Sequence, residues 1–168
     1  MALTSEIVLT KVGEFLGDSM ISSQESFGML AINVASSKNF ELVEFLKNDP
    51  TLQFIFLTDV TGAHYPDRTG GELEVIYHMH SLVNNYRLRL KFQLPIANPE
   101  IKSLVPLFSG ANFMERETYD FFGIIFTGHP NLKRILNVDE MDYFPLRKEY
   151  PVEDQSRVDK DDEMFGRG

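Results

Sequence analysis

Hydrophobic and polar positions along the chain follow two different periods. Near the start, apolar residues recur at helical spacing, which predicts a helix over residues 5–16. Residues 86–94 alternate between apolar and polar, which predicts a strand with one buried and one solvated face. A second apolar run over residues 72–81 is separated from this strand by Asn84 and Asn85, which suit a tight turn. The two runs therefore predict an antiparallel hairpin.

The remaining segments complete the predicted fold. The same criteria predict strands over residues 27–34 and 52–61, and helices over residues 36–47, from Pro99 to Phe108 and from Asn112 to Phe122, with Gly123 just past the end of the last helix. This order indicates an α+β fold: helices packed on a mixed, mostly antiparallel sheet, followed by a short helical segment and an extended C-terminal tail. After Leu136 the chain has few aliphatic residues and many acids. We therefore divide it into a domain over residues 1–136 and a partner-binding tail over residues 137–168.

Composition excludes several kinds of function. The 168 residues include no cysteine, so the chain offers no thiolate for a disulfide, an iron–sulfur cluster or a thiol-dependent reaction. The net charge of -9 argues against non-specific binding of nucleic acid. No apolar run reaches the roughly 18 residues needed to cross a bilayer, and the glycine-rich loops that hold dinucleotides or phosphates are missing.

The segment from Glu115 to Leu136 is the main candidate for a functional site. It reads E-R-E-T-Y-D-F-F-G-I-I-F-T-G-H-P-N-L-K-R-I-L and places many charges among aromatic residues. Buried charges are stable only when paired, so the segment predicts a polar patch at the edge of a core, suited to docking or to catalysis. Three acids could form an acid/base cluster: Glu115, Glu117 and Asp120. Alternatively, they are neutralised as structural ion pairs by nearby bases, namely Arg116, Lys133 and Arg134.

The histidines give weaker signals. His78 and His80 lie two residues apart on one strand face, as a metal-binding pair would, but only Glu74 on that face could add a third ligand. His129 precedes Pro130 in a turn, where a histidine more often caps the turn or bonds a carboxylate than catalyses.

The start of the tail predicts a segment that lies along a partner. It reads Phe144-Pro145-Leu146-Arg147-Lys148-Glu149-Tyr150-Pro151. Two prolines favour an extended backbone, the apolar side chains can anchor it, and the basic pair can meet acids. A segment of this composition cannot build a core by itself.

These two segments resemble a known family. Residues 115–136 look like the signature of the C subunit, of 30 kDa type, of the proton-pumping NADH:quinone oxidoreductase, respiratory complex I. Residues 145–151 look like the second characteristic segment of that family. Weaker similarities to the N-terminal part of the family lie at residues 58–61, 65–66, 74–78 and 87–90. The resemblance covers residues 52–151, most of the chain.

The resemblance implies a non-redox structural or assembly component of the peripheral arm, which docks beside the D subunit at the quinone site and the iron–sulfur B and I subunits. The enzyme would be the whole complex. This chain would hold no cofactor and no catalytic site, with FMN and iron–sulfur clusters in partner subunits. It would lie on the cytoplasmic side of the bacterial inner membrane, attached only through the complex. The predicted subunit interface consists of Glu115, Arg116, Glu117, Asp120, His129, Pro130, Arg134, Phe144, Pro145, Leu146, Arg147, Lys148, Tyr150 and Pro151.

Two alternatives stay open at this point. One is the equivalent component of a related membrane-bound hydrogenase or of another quinone-reducing complex. The other is a stand-alone hydrolase that uses the carboxylates of Glu115, Glu117 and Asp120.

Overall fold

The computed structural model describes residues 3–150, which form three α-helices and seven strands. The helices are α1 (Ser5–Leu16), α2 (Asn39–Asn48) and α3 (Ala111–Phe122). The strands are β1 (Met20–Ser26), β2 (Met29–Val34), β3 (Phe56–His64), β4 (Leu73–Ser81), β5 (Tyr86–Leu94), β6 (Glu100–Lys102) and β7 (Ile125–Thr127). Within residues 3–150 we find no helix with the length and apolar character required to cross a membrane.

Five strands form one mixed sheet in the order β1-β2-β5-β4-β3. Neighbouring strands are antiparallel, except that β2 and β5 run parallel. Strands β6 and β7 form a separate parallel pair. The arrangement confirms the predicted α+β fold, including the hairpin of β4 and β5 and a helical segment, α3, that follows the sheet.

The core lies between one face of the sheet and helices α1 and α2. Alternate residues of the central strands are buried and meet across the register, as Ile32, Leu90 and Tyr77 do. The two helices contribute buried aliphatic side chains: Val8, Val12, Leu42 and Leu46. The hydroxyl of Tyr77 accepts a hydrogen bond from Asn39 Nδ2 at 3.2 Å. This bond fixes the start of α2 to the sheet.

Helix α3 packs along β3, one of the two edge strands of the sheet. Thr118 Oγ1 donates a hydrogen bond to the carbonyl of Val60 at 3.0 Å. The ring of Phe122 lies against Gly62, where a Cβ atom would come within 2.6 Å of the ring. Only glycine lets the helix approach the strand this closely. The helix ends at Gly123, whose φ of 75° is the left-handed conformation predicted for that position.

The prediction of a helix from Pro99 to Phe108 is wrong. Residues Glu100–Lys102 form β6, which pairs with β7, and the following residues continue as turns. Ile101 and Leu104 are buried, so the apolar positions do belong to the core. Their three-residue spacing fits a short strand followed by a turn as well as it fits a helix.

Strand β1 was not predicted, and β3 begins later than predicted. Five of the seven residues of β1 are exposed, so its sequence shows no apolar alternation. The strand is held in place by its backbone hydrogen bonds with β2. The strand predicted over residues 52–61 begins only at Phe56. Before it, the N–H of Phe54 donates to the carbonyl of Leu46 at 3.0 Å, so this stretch packs against the end of α2 instead.

We expect Gly62→Ala to destabilise the protein by about 1–3 kcal/mol, because the new methyl group overlaps the ring of Phe122. Gly13→Ala is the matched control, since a Cβ at Gly13 in α1 meets nothing within 4 Å. That change should stabilise the helix by about 0.5–1 kcal/mol. Urea unfolding of both variants measures the difference, and equal stabilities would contradict the close packing of α3 on β3.

Candidate functional site

Asp120, in the last turn of α3, has a fully buried carboxylate that accepts five hydrogen bonds. Oδ1 accepts from Arg134 Nη1 at 2.8 Å and from Asn137 Nδ2 at 3.1 Å. Oδ2 accepts from three successive backbone N–H groups, those of Ile135 at 3.0 Å, Leu136 at 2.8 Å and Asn137 at 2.9 Å. Consecutive N–H groups that converge on one anion form a backbone nest. We call this arrangement the Asp120 clamp, and it sets the path of the chain after β7.

The clamp keeps Asp120 ionised. Burial alone would raise the pKa of Asp120, but the hydrogen bonds from the N–H of Asn137, from Arg134 and from the next two N–H groups hold the pKa well below its usual range. A charged buried carboxylate is stable only when every lone pair has a donor. The geometry therefore suits a structural anchor more than a proton donor.

Arg134 extends the clamp to the tail. Besides the carboxylate, its Nη1 donates to the backbone carbonyl of Asp120 at 2.9 Å. Its Nη2 donates to the carbonyls of Met141 at 2.6 Å and Tyr143 at 2.9 Å. One guanidinium thus ties the end of α3 to residues well past the predicted domain boundary at 136.

The described part of the tail covers the C-terminal end of α3. Arg147 Nε donates to the carbonyl of Phe122 at 2.8 Å, and the N–H of Leu146 donates to the carbonyl of Phe121 at 3.2 Å. These bonds satisfy carbonyls that a helix end leaves free. A Cβ atom at Gly123 would meet the ring of Phe144 at 2.5 Å, so glycine here also makes room for the tail.

Further along, the tail reaches the end of β3. The N–H of Lys148 donates to His64 Nδ1 at 3.0 Å. Side chains at Leu146, Lys148 and Tyr150 remain exposed, whereas Pro145 is half-buried. Pro151, the last of the predicted interface residues, lies outside the described residues.

Glu115, one and a half turns before Asp120, is also fully buried, but its surroundings are different. Its Oε2 accepts from Ser103 Oγ and its Oε1 from the N–H of Leu104, both at 2.6 Å. No base pairs with it within residues 3–150. Burial raises its pKa to about 7, and the two hydrogen bonds offset that only in part. Glu115 therefore fixes the turn after β6 to α3 without a counter-charge.

The three acids do not form one cluster. Glu115 and Asp120 each have their own donors, and Glu117 is exposed between them. Of the predicted ion pairs, the one between Asp120 and Arg134 exists. Arg116 instead donates to the backbone carbonyls of Lys133 at 3.1 Å and Arg134 at 3.0 Å.

The remaining predicted residues of this segment are structural in this fold. The Nδ1 of His129 accepts from the N–H of Asn131 at 3.0 Å, so its Nε2 is left to donate to the carbonyl of Asn112 at 3.1 Å. His129 thus closes its own turn, as the sequence favoured, and Pro130 beside it is exposed.

Exposed apolar side chains are frequent in the part of the chain that contains the clamp. Half of the large hydrophobic residues that are exposed in the described chain lie between residues 113 and 150: Phe113, Ile125, Leu136, Val138, Tyr143, Leu146 and Tyr150. Leu136 and Val138 flank Asn137, whose backbone and side chain both bind the clamp. A rigid backbone here presents apolar groups to the outside.

The histidine pair does not form a metal site with Glu74. In residues 3–150 no group of three or more potential ligands is placed to hold a metal. The Nδ1 atom of His78 lies 3.4 Å from Oδ2 of Asp59, and its Nε2 accepts a hydrogen bond from Arg89 Nε at 2.9 Å. The carboxylate of Glu74 forms ion pairs with Arg68 and Lys91. Burial, and next the charge of Arg89, lower the pKa of His78.

Sequence reasoning missed several contributors. Ser103, Asn137 and His64 bind Glu115, Asp120 and the tail respectively, but isolated serine, asparagine and histidine residues carry no pattern. The only available signal was Gly123, whose place at a helix end was predicted, although its role in admitting the tail was not.

Comparison with known proteins identifies the class. The family described as "Respiratory-chain NADH dehydrogenase, 30 Kd subunit" matches residues 32–156, most of the chain. The chain therefore belongs to this family of complex I subunits, as the resemblance of residues 115–136 implied. It is thus a component of NADH-quinone oxidoreductase, and its partners are other subunits of that complex.

Individual relatives are named as the C subunit of NADH-quinone oxidoreductase. The relative from Roseiflexus castenholzii is 40% identical over 152 residues, which span 90% of this chain and 87% of the relative. The relative from Mesorhizobium japonicum is 38% identical over 161 residues, which span 92% and 78% of the two chains.

Two solved structures are similar to this one. The "trypsin-resistant fragment (1-134)" of Nqo5 matches with a TM-score of 0.65 and 29% identity, over 76% of this chain and 98% of that fragment. A chain of the membrane-bound sulfane sulfur reductase, an archaeal respiratory membrane complex, matches with a TM-score of 0.71 and 19% identity, over 88% of this chain and 85% of that one. The second similarity shows the fold alone.

We expect Asp120→Ala to destabilise the protein by about 3–5 kcal/mol, because it leaves the guanidinium of Arg134 buried without a counter-charge. Glu117→Ala, an exposed acid on the same helix, is the control and should change stability by less than about 0.5 kcal/mol. Urea unfolding measures both. Amide exchange at residues 135–137 should speed up only in the first variant, and equal losses in both variants would argue against the clamp.

We expect Glu115 to make stability depend on pH. Its pKa rises from 4.5 in the unfolded chain to about 7 on folding, so between these values the folded state keeps a proton that the unfolded state has lost. The contribution is complete below pH 4.5 and is lost as the pH rises through about 7, a change of about 3 kcal/mol.

Glu115→Gln removes the titration and should remove this part of the pH dependence, leaving the variant more stable than the parent at about pH 8. Glu117→Gln, at an exposed site, is the control. Unfolding free energies at about pH 5 and pH 8 give the comparison. If Glu115→Gln keeps the pH dependence of the parent, the buried carboxyl does not titrate in this range.

Proposed function

We propose that this chain is a structural component of the peripheral arm of complex I, without a redox centre of its own, that docks to its neighbours through the surface around α3. The observation that carries the proposal is the Asp120 clamp. Its buried charge accepts five donors from the chain itself, so it is fully used in holding residues 134–137 in place. Little capacity is left for a substrate.

The docking surface consists of exposed apolar side chains from α3, from the segment that the clamp holds and from the tail. We call it the α3 surface, and it consists of Phe113, Leu136, Val138, Leu146 and Tyr150. Apolar side chains exposed together on a fixed backbone are typical of the centre of a protein interface. Because the backbone is already ordered by the clamp, little conformational entropy is lost when a partner binds.

The tail extends this surface. From the family resemblance we take the D subunit at the quinone site as the main partner, with the iron–sulfur B and I subunits nearby. In the free chain Phe144 and Arg147 contact the end of α3, so they serve as an internal anchor. Lys148 and Tyr150 are exposed and available to a partner. The Nqo5 fragment was obtained as a trypsin-resistant piece, which supports a division of this kind between a stable domain and a tail.

The geometry favours this function over the two alternatives. A carboxylate-dependent hydrolase needs two acids that face one site, whereas Glu115 and Asp120 have separate partners. An equivalent component of a related membrane-bound complex has only the similarity of fold in its favour. We propose that the chain lies on the cytoplasmic side of the bacterial inner membrane and is attached to the membrane only through the complex.

Affinity purification tests the proposal directly. The full-length tagged chain, isolated from native membranes, should bring down the flavin- and cluster-containing subunits of complex I together with the D subunit. Recovery of hydrogenase subunits instead would support the alternative. A chain that is recovered alone, and that carries stoichiometric flavin or iron, would contradict a structural role.

We expect Val138→Asp to lower the recovery of partner subunits, by roughly 30-fold in affinity if about 2 kcal/mol is lost at a buried anchor. Val83→Asp is the matched control, because Val83 is exposed to 68% and Val138 to 63%. Neither change should alter Tm by more than a few degrees. Equal recovery from the two variants would exclude Val138 from the interface.

A further inference from the structure

The face of the sheet opposite α1 and α2 is not covered by any helix within residues 3–150. Its side chains alternate with the buried core residues of the same strands, so they lie on the opposite side of the sheet. Small or aliphatic side chains lie on strands beside the central strand β5: Ala31 on β2, Ile76 on β4, and Thr61 and Ala63 on the edge strand β3. We call it the open face.

The topology makes an uncovered face unusual here. Antiparallel sheets often expose one face to water, but parallel pairs are typically covered on both sides. The parallel pair β2–β5 lies in the interior of this sheet, with β1 on one side and β4 on the other. The open face therefore leaves a parallel pair exposed.

Basic side chains dominate the open face. It carries Arg87, Arg89 and Lys91 from β5, and Arg68 reaches it from the preceding loop, whereas its acids are Asp59 and Glu74. Within the strands, three basic and two acidic side chains leave an excess of positive charge on this face, although the whole chain has a net charge of -9.

The charges of this face are held in a fixed arrangement. Lys91 Nζ and Arg68 Nη1 each lie 3.0 Å from the nearly fully buried carboxylate of Glu74. Arg87 is exposed and has no ion pair within residues 3–150. The opposite side of the molecule differs, since the exposed acids of α1 and α2 outnumber their lysines: Glu6, Glu14, Glu41 and Glu44 against Lys11 and Lys47.

The area is also suitable. Five strands spaced about 4.8 Å apart and six to nine residues long, at about 3.3 Å per residue, give a face of roughly 600 Å². Stable interfaces bury roughly 800 Å² per partner. We infer that the open face is a second docking surface, and that its occupant is a flat, acidic surface of another protein of the same complex. The inference rests on the proposed function, because it takes the chain to be part of that complex.

Site-specific labelling tests the inference, because the chain has no cysteine of its own. Gln93→Cys places a thiol at an exposed position of the open face, and Glu41→Cys places one on the helix side. Each full-length variant is treated with a maleimide, once as the free chain and once in the complex purified from membranes. We expect the reactivity of Gln93→Cys to fall at least about ten-fold in the complex, while that of Glu41→Cys changes little.

Charge reversal gives an independent measurement. Arg87→Glu should weaken recovery of partner subunits, and the weakening should disappear as salt rises, since exposed ion pairs are screened. Lys38→Glu, an exposed base outside the open face, is the matched control. Equal recovery from the two variants at low salt would overturn the assignment of an acidic partner.

The outcomes separate this inference from the proposed function. If the tagged chain recovers complex I subunits but Gln93→Cys reacts equally in both states, the open face is not an interface while the proposed function stands. If no other complex I component is recovered, the proposed function itself fails. Two other results would overturn the inference. If phosphatidylglycerol vesicles protect the thiol of the free Gln93→Cys variant, the occupant is a lipid surface. If the thiol is already protected in the free variant and becomes reactive when residues 151–168 are removed, the occupant is a segment of this chain.

Discussion

The path of residues 134–143 depends on one buried charge. The carboxylate of Asp120 is fully buried, and such a charge destabilises a protein unless its oxygens are all bonded. Its donors come from Arg134 and from the three N–H groups that follow it, so the chain after β7 must return to α3. Arg134 then holds the carbonyls of residues 141 and 143, and the next turn covers the helix end. A single carboxylate thereby organises the α3 surface and the start of the tail.

The two buried acids of α3 hold opposite sides of the helix and have opposite electrostatics. Asp120 has a cation and an N–H nest, so its pKa falls, while Glu115 has only a hydroxyl and one N–H, so its pKa rises to about 7. Asp120 holds the segment that follows the helix in sequence, and Glu115 holds the turn that precedes it. Helix α3 is therefore fixed from both directions by carboxylates. The hydrogen bonds of Asp120 do not change with pH near neutrality, because its carboxylate stays ionised, whereas those of Glu115 do.

The sequence predicted elements whose signals are local. The bounds of α1 and β5, and the end of α3 at Gly123, follow from periodicity and from glycine conformation. The helix after Pro99 was wrong because apolar spacing cannot distinguish a helix from a strand that pairs with β7, a partner 25 residues away. At the site, residue types predicted that charges would be paired, but not that Glu115 would lack a base. Gly62 gave no signal, since its need arises from the ring of Phe122, 60 residues later.

Strand β3 connects the two proposed docking surfaces. Its core-facing residues and its carbonyl at Val60 contact α3, while Asp59 and Thr61 belong to the open face. A groove between the strand and the helix is lined by Asp59, Thr61 and Leu146, which brings the open face and the tail within one small region. A change in β3 should therefore affect both surfaces, whereas a change in β1, at the far edge of the sheet, should affect only the open face. In the proposed role, such a protein would hold two neighbours at a fixed separation, because the clamp, helix α3 and strand β3 join the two surfaces directly.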